Sequence, residues 1–163
     1  MINLQGTGAI IVGTRRIGAV IAHQMAQEGI KIVVVYRNSK AEANKLVTQL
    51  KSKTDLAVAI KCDLSDENQV KKMINQAKSD LGTLNFGINL ASSFPRNPFK
   101  DLDAKAWDIS IEDAKGTFLF GIHAGSAMMA NAGPTKGHLI FFSDWAAIHA
   151  PYKNYLPYMS AKA

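Results

Sequence analysis

The first 36 residues constrain the fold most strongly, because they read as a strand, a glycine turn, a helix and a second strand. Residues 9–12 form a short continuous apolar run, which is typical of a strand buried on both faces of a parallel sheet. The run stops at Gly13, and apolar residues then recur at helical spacing from Ile21 until Gly29 supplies a helix end. Residues 31–36 are rich in β-branched side chains. The order predicts a βαβ unit with a right-handed crossover.

The alternation of helices and strands continues along the rest of the chain. Ser65 is placed to cap a helix whose first turn carries Asp66 and Glu67, where acidic side chains favour the positive end of the helix dipole. Two prolines within residues 93–98 exclude regular structure there, and Gly116 can interrupt a long helix. The other predicted elements are a helix at 41–50, a strand at 56–62, a strand at 84–90, a helix at 104–131 and a strand at 139–142. This alternation predicts a three-layer α/β/α sandwich around a parallel sheet.

Size and composition indicate one domain over residues 1–163. With 163 residues, 47% of them hydrophobic, the chain is long enough to bury a core. No apolar run reaches the length of a membrane span, and the first residues lack the features of a signal peptide, so we expect a cytoplasmic protein without membrane contact. The single cysteine, Cys62, excludes an internal disulfide and a multi-cysteine metal site. We expect Cys62 in the core and no bound metal.

The charge of the chain suggests an anionic partner. The formal net charge is +6, but the lysines are spread along the chain and form no basic tract, which disfavours nucleic acid. A small molecule that carries phosphate needs only a few of these charges.

Two stretches are placed to bind such a ligand, because ligands of a parallel sheet bind beyond the carboxyl ends of its strands. The turn Gly13-Thr14-Arg15-Arg16-Ile17-Gly18 opens a helix, so its N–H groups can meet a phosphate; the alternative is a plain tight turn. After the second strand, Arg37-Asn38-Ser39 stands where a carboxylate would accept hydrogen bonds from a ribose 2′-hydroxyl. With Arg15 and Arg16, Arg37 favours a 2′-phosphate, and therefore NADP(H) over NAD(H), unless these arginines only face solvent.

A tyrosine and a lysine near the end of the sequence form the candidate proton-transfer pair. In a helix, the four-residue spacing of Tyr158 and Lys162 places both side chains on one face. The adjacent ammonium favours the phenolate, so we expect it to lower the pKa of Tyr158 from about 10 toward the working range. The alternative is a surface helix with an incidental tyrosine and lysine.

Five motifs in one order resemble the short-chain dehydrogenase/reductase family across the whole chain. They are Gly13…Ile17-Gly18, Cys62-Asp63-Leu64, Ile88-Asn89-Leu90-Ala91-Ser92, Phe142-Ser143-Asp144 and Tyr158…Lys162. The resemblance implies a Rossmann-type doubly wound parallel sheet and reduction of a carbonyl or conjugated C=N or C=C group in a small molecule. Within the family, the Arg-Arg-Ile-Gly, Tyr-Arg-Asn-Ser and Asn-Leu-Ala-Ser-Ser-Phe stretches most resemble the pteridine reductase-like branch.

The resemblance also implies a role for each matching residue. Tyr158 would be the general acid that protonates the substrate oxygen, and Lys162 would lower its pKa and hold the nicotinamide ribose. Asp63 would contact the adenine, and Leu64 would line its pocket. The loop after the fourth strand would contact the ribose region of the cofactor. The residues of this loop are Asn89, Ala91 and Ser92.

The sequence departs from the family pattern in the glycine turn and in the proton relay. In the glycine turn, either Gly13 is the first glycine of a shortened turn or Val12 takes its place, and Arg16 stands where the middle glycine is usual. Asp113 stands where the family usually has an asparagine that helps to hold a water relay to the lysine. Its charge is expected to weaken the effect of the lysine on the tyrosine.

The catalytic partner of the tyrosine is open between two neighbours. Ser143 and Asp144 lie 15 and 14 residues before Tyr158. Neighbours on a regular strand point to opposite faces, so both cannot enter the site equally. Ser143 is the plain family assignment, and we favour Asp144, because the reductase branch uses an aspartate there.

The resemblance implies a longer protein, because the sixth and seventh strands and the substrate loop would follow the end of this sequence. We expect that the sequence is truncated relative to the natural protein and that the fold lacks its last strands; the alternative is a natural fragment. A full-length protein would be a homodimer or a homotetramer.

Two functions of different class remain open. The first is an NADP(H)-dependent reductase that acts through Tyr158, Lys162 and either Asp144 or Ser143. The second is a non-catalytic nucleotide-binding or interaction protein that keeps the fold. The intact Tyr158 and Lys162 favour the first, whereas the altered glycine turn and Asp113 favour the second.

Overall fold

The computed structural model describes residues 4–163, which form five strands and five α-helices. The strands are β1 (Gly8–Val12), β2 (Lys31–Tyr36), β3 (Ala57–Lys61), β4 (Phe86–Asn89) and β5 (His138–Phe141). The helices are α1 (Ile17–Gln27), α2 (Lys40–Leu50), α3 (Glu67–Leu81), α4 (Ala104–Met128) and α5 (Leu156–Lys162). Short 3₁₀ turns lie at Phe99–Asp101 and Trp145–Ala147.

The strands form one parallel sheet in the order β3-β2-β1-β4-β5. The chain therefore winds outward from β1 to β3 and then crosses back over to β4. The direction of winding reverses between β1 and β4, and the crevice beyond their carboxyl ends is where ligands bind in such sheets. The predicted α/β class and the doubly wound parallel sheet are confirmed.

The central strand β1 is buried on both faces, which explains its unbroken apolar sequence. On one face, Ile10 packs in a cluster with residues of α3 and α4, including the fully buried Phe120. On the other face, Ile11 packs in a cluster with residues of α1 and α2, including Leu50. Cys62 is 2% exposed, so its predicted place in the core is confirmed. The helices thus cover both faces of the sheet.

The predicted elements are correct in kind, but several of their ends are wrong. The third and fourth strands are shorter than the predicted 56–62 and 84–90, since the parallel pairing ends at Lys61 and Asn89. The fifth strand begins one residue earlier and ends at Phe141. The predicted helix at 104–131 ends at Met128 and is not interrupted at Gly116.

The predicted cap of α3 is also wrong by one residue. Asp66, not Ser65, is the N-cap, because its carboxylate accepts hydrogen bonds from the N–H groups of Asn68 and Gln69. The hydroxyl of Ser65 instead donates to Asp63, at 2.9 Å.

Gly116, within the unbroken helix α4, permits a close contact with the loop after β3. A Cβ at this position would lie 2.8 Å from the Cβ of Leu64. The glycine therefore lets the helix approach the carboxyl ends of the strands without a break. Within residues 4–163, no helix combines the length and the apolar character needed to cross a bilayer.

Replacement of Phe120 by alanine is expected to lower the free energy of unfolding by about 3–5 kcal/mol, because the fully buried ring leaves a cavity. Phe118→Ala is the matched control on the same helix, since Phe118 is 63% exposed and its loss is expected to cost less than about 1 kcal/mol. Urea denaturation followed by circular dichroism measures both values. Equal losses would contradict the packing of α4.

Candidate functional site

A cavity of about 750 Å³ lies at the carboxyl ends of β1, β2, β3 and β4. Its walls are the glycine turn, the loops after β2, β3 and β4, and one side of α4. Every predicted cofactor-binding residue lines this cavity. They are Gly13, Arg15, Arg16, Ile17, Gly18, Arg37, Asn38, Ser39, Asp63, Leu64, Asn89, Ala91 and Ser92.

The glycine turn is built by two glycines in contact. Val12 is the last residue of β1, and Gly13 leaves the strand with a φ of 100°. Gly13 is therefore the residue that makes the turn, which decides between the two alternatives. A Cβ at Gly18 would lie 1.8 Å from the carbonyl oxygen of Gly13, so only glycine fits there.

Arg16 occupies a backbone conformation that suits glycine. It is the N-cap of α1 with φ 48° and ψ −114°, and no side chain caps this helix. An L-residue with a side chain is strained there. The first turn of α1 lines the cavity without a side-chain cap, and an anion is favoured at such a helix start.

An ion pair that the sequence interpretation missed lies beside the turn. Nη2 of Arg15 donates to Oε1 of Glu42 at 2.5 Å. A hydrogen bond from the backbone N–H of Glu42, and then the contact with Arg15, lower the pKa of this carboxyl. Both side chains line the cavity together with Arg37. The sequence feature that could have pointed to this ion pair is an acidic residue, Glu42, in the first turn of α2.

The loop after β3 forms another wall of the cavity. Oδ1 of Asp63 accepts hydrogen bonds from the backbone N–H and the hydroxyl of Ser65, at 3.0 and 2.9 Å. Leu64 packs against Gly116 of α4. The Asp63 carboxylate is thus held in place by its own loop, with Leu64 beneath the cavity.

Asn89 fixes the loop after β4. It is 4% exposed, its amide nitrogen donates to Thr117 at 3.0 Å, and its amide oxygen accepts from the N–H of Ala91 at 3.0 Å. The hydroxyl of Ser92 donates to the carbonyl of Ser93. Thr117 was not predicted from the sequence, since nothing in its neighbourhood marks it as a partner of Asn89.

Asp113 holds the next residue of the same loop. Its Oδ2 accepts hydrogen bonds from both the backbone N–H and the hydroxyl of Ser93, each at 2.6 Å. The carboxylate thus ties the loop to α4. Ser93 and Asp113 line the cavity, and the next residue, Phe94, contacts the ring of Tyr158, which lies outside the cavity lining.

The hydroxyl of Tyr158 donates to Oδ2 of Asp144 at 2.6 Å. Ser143 points elsewhere, because its hydroxyl donates to the backbone carbonyl of Lys162 at 2.7 Å. Nζ of Lys162 in turn donates to the carbonyl of Phe142 at 2.9 Å. Of the two open alternatives, Asp144 is the residue that the structure brings to the tyrosine.

The charges around Tyr158 do not give the expected lowered pKa. Burial, and then the hydrogen bond to Asp144, raise the pKa of Tyr158 above its ordinary value. The same hydrogen bond is the main cause that lowers the pKa of the Asp144 carboxyl. Burial lowers the pKa of Lys162, while Asp113 and Asp144 oppose this change. The expectation failed because the phenol is largely shielded from solvent and donates to a carboxylate, while the ammonium donates to a carbonyl.

Phe94 lies against Tyr158, a contact that was not predicted from the sequence. Its ring stacks on Tyr155 with centroids 4.2 Å apart and meets Tyr158 edge-to-face at 4.7 Å. Such pairs fix ring orientation. The loop that Asp113 holds therefore also packs the ring of Tyr158.

In the described part of the chain, no group of three or more His, Cys, Asp or Glu side chains is arranged to hold a metal ion.

The sheet, its order and the cleft at the reversal point define an α/β protein of the Rossmann type. A family model described as enoyl-(acyl carrier protein) reductase matches residues 11–163. The chain belongs to the short-chain dehydrogenase/reductase family. The placement in the pteridine reductase-like branch stays a prediction.

The match to named relatives covers only part of the length of each relative. The chain is 34% identical over 112 residues to the 3-oxoacyl-[acyl-carrier-protein] reductase FabG of Staphylococcus aureus (strain Mu50), which is 68% of this chain and 46% of the relative. It is 35% identical over 106 residues to versicolorin reductase stcU of Emericella nidulans, which is 64% of this chain and 40% of that protein. The chain thus spans about half the length, or less, of these relatives.

A solved structure shows the same fold over nearly the whole chain. It is a blue fluorescent protein from a metagenomic library in complex with NADPH, with a TM-score of 0.86 and 26% identity. The match covers 99% of this chain and 65% of that one.

Replacement of Arg16 by glycine is expected to raise the free energy of unfolding by about 1 kcal/mol, because glycine adopts a positive φ without strain. Arg15→Gly is the matched control, since Arg15 does not have a positive φ and the same replacement is expected to destabilise. Urea denaturation measures both. Equal destabilisation of the two variants would contradict the strain assigned to Arg16.

Proposed function

We propose that this chain is an oxidoreductase that uses NADP(H) to reduce a carbonyl or conjugated C=N or C=C group, with Tyr158 as proton donor. The observation that carries the proposal is the 2.6 Å hydrogen bond from Tyr158 to Asp144. Lys162 lies on the same short helix. A phenol oriented by a carboxylate near an ammonium is positioned to transfer a proton.

The residues of the cavity fit a dinucleotide. The uncapped start of α1 and the turn from Gly13 to Gly18 suit the pyrophosphate. The volume falls within the range of about 300–1,000 Å³ that is usual for ligand pockets. Asp63 and Leu64 would hold the adenine, and the loop after β4 the ribose region. When bound, the cofactor supplies the hydride.

The residues near Tyr158 would supply and place the proton. The phenol carries its proton at neutral pH, and it would give this proton to a substrate oxygen or nitrogen once its hydrogen bond turns from Asp144 to the substrate. Asp144 holds the hydroxyl in one orientation. Lys162, anchored on the Phe142 carbonyl, would place its positive charge where the phenolate forms. Asp113 acts on the site by holding the loop that packs against the tyrosine.

A second candidate function is a non-catalytic nucleotide-binding protein. It is favoured by one observation. Both short hydrogen bonds of the Asp113 carboxylate come from Ser93, so fewer acceptor positions of this carboxylate are left to hold a water relay toward Lys162. Under this alternative, the chain would bind NADPH but turn over no substrate.

Replacement of Tyr158 by phenylalanine is expected to lower turnover at least about 100-fold, because it removes the proton donor and keeps the ring. NADPH binding is expected to stay unchanged. Turnover is measured on a panel of carbonyl and conjugated substrates, and binding by fluorescence transfer from Trp107 and Trp145. Tyr155→Phe is the matched control, since it removes a phenol from the same aromatic cluster.

Three results would count against the reductase. Equal turnover by the Tyr158→Phe variant and the control would remove Tyr158 as the donor. Binding of NADPH without turnover of any substrate by the unaltered chain would favour the second candidate. Absence of binding to both NADPH and NADH would rule out both functions.

The preference for NADP(H) is part of the proposal. The loop after β2 offers Arg37, Asn38 and Ser39 to the cavity, and no carboxylate stands directly at the end of the strand. The guanidinium of Arg37 is suited to a 2′-phosphate. The metagenomic protein with 26% identity was solved with NADPH, which supports the choice.

Arg37→Ala is expected to weaken NADPH binding about tenfold and NADH binding less than about twofold, since only NADPH carries the 2′-phosphate. Lys45→Ala is the control, because it removes a positive charge from the exposed side of α2 outside the cavity. Titration with each cofactor measures the dissociation constants. An equal loss for the two cofactors would exclude a 2′-phosphate contact by Arg37.

The remaining expectations stand as parts of the same proposal. Residues 1–163 would form one NADP(H)-binding domain, and the substrate would be a small molecule. A homodimer or homotetramer is expected of the full-length protein. The cytoplasmic location and the pteridine reductase-like branch stay predictions from the sequence.

A further inference from the structure

Glu42 brings a negative charge into the part of the cavity that the proposed function assigns to the 2′-phosphate. It belongs to the first turn of α2, and its Oε1 lies 2.5 Å from Nη2 of Arg15, 27 residues away in sequence. Both side chains line the cavity beside Arg37 and Ser39. The ion pair therefore spans the region between the glycine turn and the loop after β2.

The ion pair is open to solvent, so it contributes little to holding the fold together. The side chains of Arg15 and Glu42 are 68% and 47% exposed. Exposed pairs are weak, and their partners exchange readily with other ions. A phosphate that enters this corner can therefore compete with Glu42 for the guanidinium.

The carboxylate also occupies a second anion-binding feature. Ser39 is the N-cap of α2, but its side chain makes no capping hydrogen bond. The backbone N–H of Glu42 is the main cause that lowers the pKa of its own carboxyl, which places the charge at the start of this helix. The Glu42 carboxylate thus occupies two features that would otherwise favour a phosphate, the Arg15 guanidinium and the start of α2.

We propose that Glu42 is a specificity-determining residue whose carboxylate competes with the cofactor 2′-phosphate for Arg15 and thereby limits the preference for NADP(H). The inference rests on the proposed function. NADPH must displace the carboxylate from Arg15 and place its phosphate near a like charge. NADH, which lacks this phosphate, leaves the ion pair in place.

Glu42→Gln tests the inference, because glutamine keeps the size and helix propensity of the side chain and removes its charge. The dissociation constant for NADPH is expected to fall about fivefold, and that for NADH to change less than about twofold. Both are measured by titration at one fixed salt concentration. Glu28→Gln is the matched control, since Glu28 is an exposed glutamate at the end of α1 outside the cavity. Circular dichroism checks that each variant is folded.

The double variant Glu42→Gln with Arg15→Met tests the route of the effect. If Glu42 acts by occupying Arg15, the gain in NADPH affinity is expected to disappear when Arg15 is absent. A gain that persists in full would overturn competition for Arg15. Weaker NADPH binding by Glu42→Gln, or an equal change for both cofactors, would overturn the inference and leave the proposed function intact. Failure of the unaltered chain to bind either cofactor would overturn both.

Discussion

The contact between Gly13 and Gly18 sets the position of the cleft. A Cβ at position 18 would overlap the carbonyl oxygen of Gly13, so the pair lets α1 start directly beyond the end of β1. Because β1 is the central strand, this start lies at the point where the winding of the sheet reverses. The walls formed by the loops after β2, β3 and β4 are arranged around it. The strained backbone of Arg16 is a consequence of the same tight turn.

The fold was predictable because its strands and helices follow local hydrophobic patterns. A continuous apolar run such as that of β1 indicates a strand buried on two faces, and β2 repeats the signal. The ends were less predictable, because a strand ends where its neighbour stops pairing. Ser65 and Asp66 are both good capping residues. Only the three-dimensional contacts select Asp66, since the hydroxyl of Ser65 is already bonded to Asp63.

The residues of the site were predictable where they belong to the ordered motifs. The contacts between residues that are distant in sequence were not. The sequence left Ser143 and Asp144 open, and the turn after β5 aims Asp144 at the tyrosine. Glu42 lies in no motif, and the stretch that ends at Phe94 does not say what its ring contacts, so the partners of both residues could not be foreseen. The direction of the pKa change at Tyr158 depends first on the burial of the ring and then on the atom that its hydroxyl contacts. Spacing along a helix does not contain that information.

The contact of Gly116 with Leu64 has a consequence for how this sequence can diverge. The helix α4 and the loop after β3 meet there with no room for a further carbon atom. A larger residue at position 116 would push the helix that carries Asp113 and Thr117 away from the cleft. A smaller side chain at position 64 would not make this room, because every residue except glycine keeps the Cβ that is met there. In evolutionary terms, we expect position 116 to stay glycine while the outer part of the side chain at position 64 is free to vary.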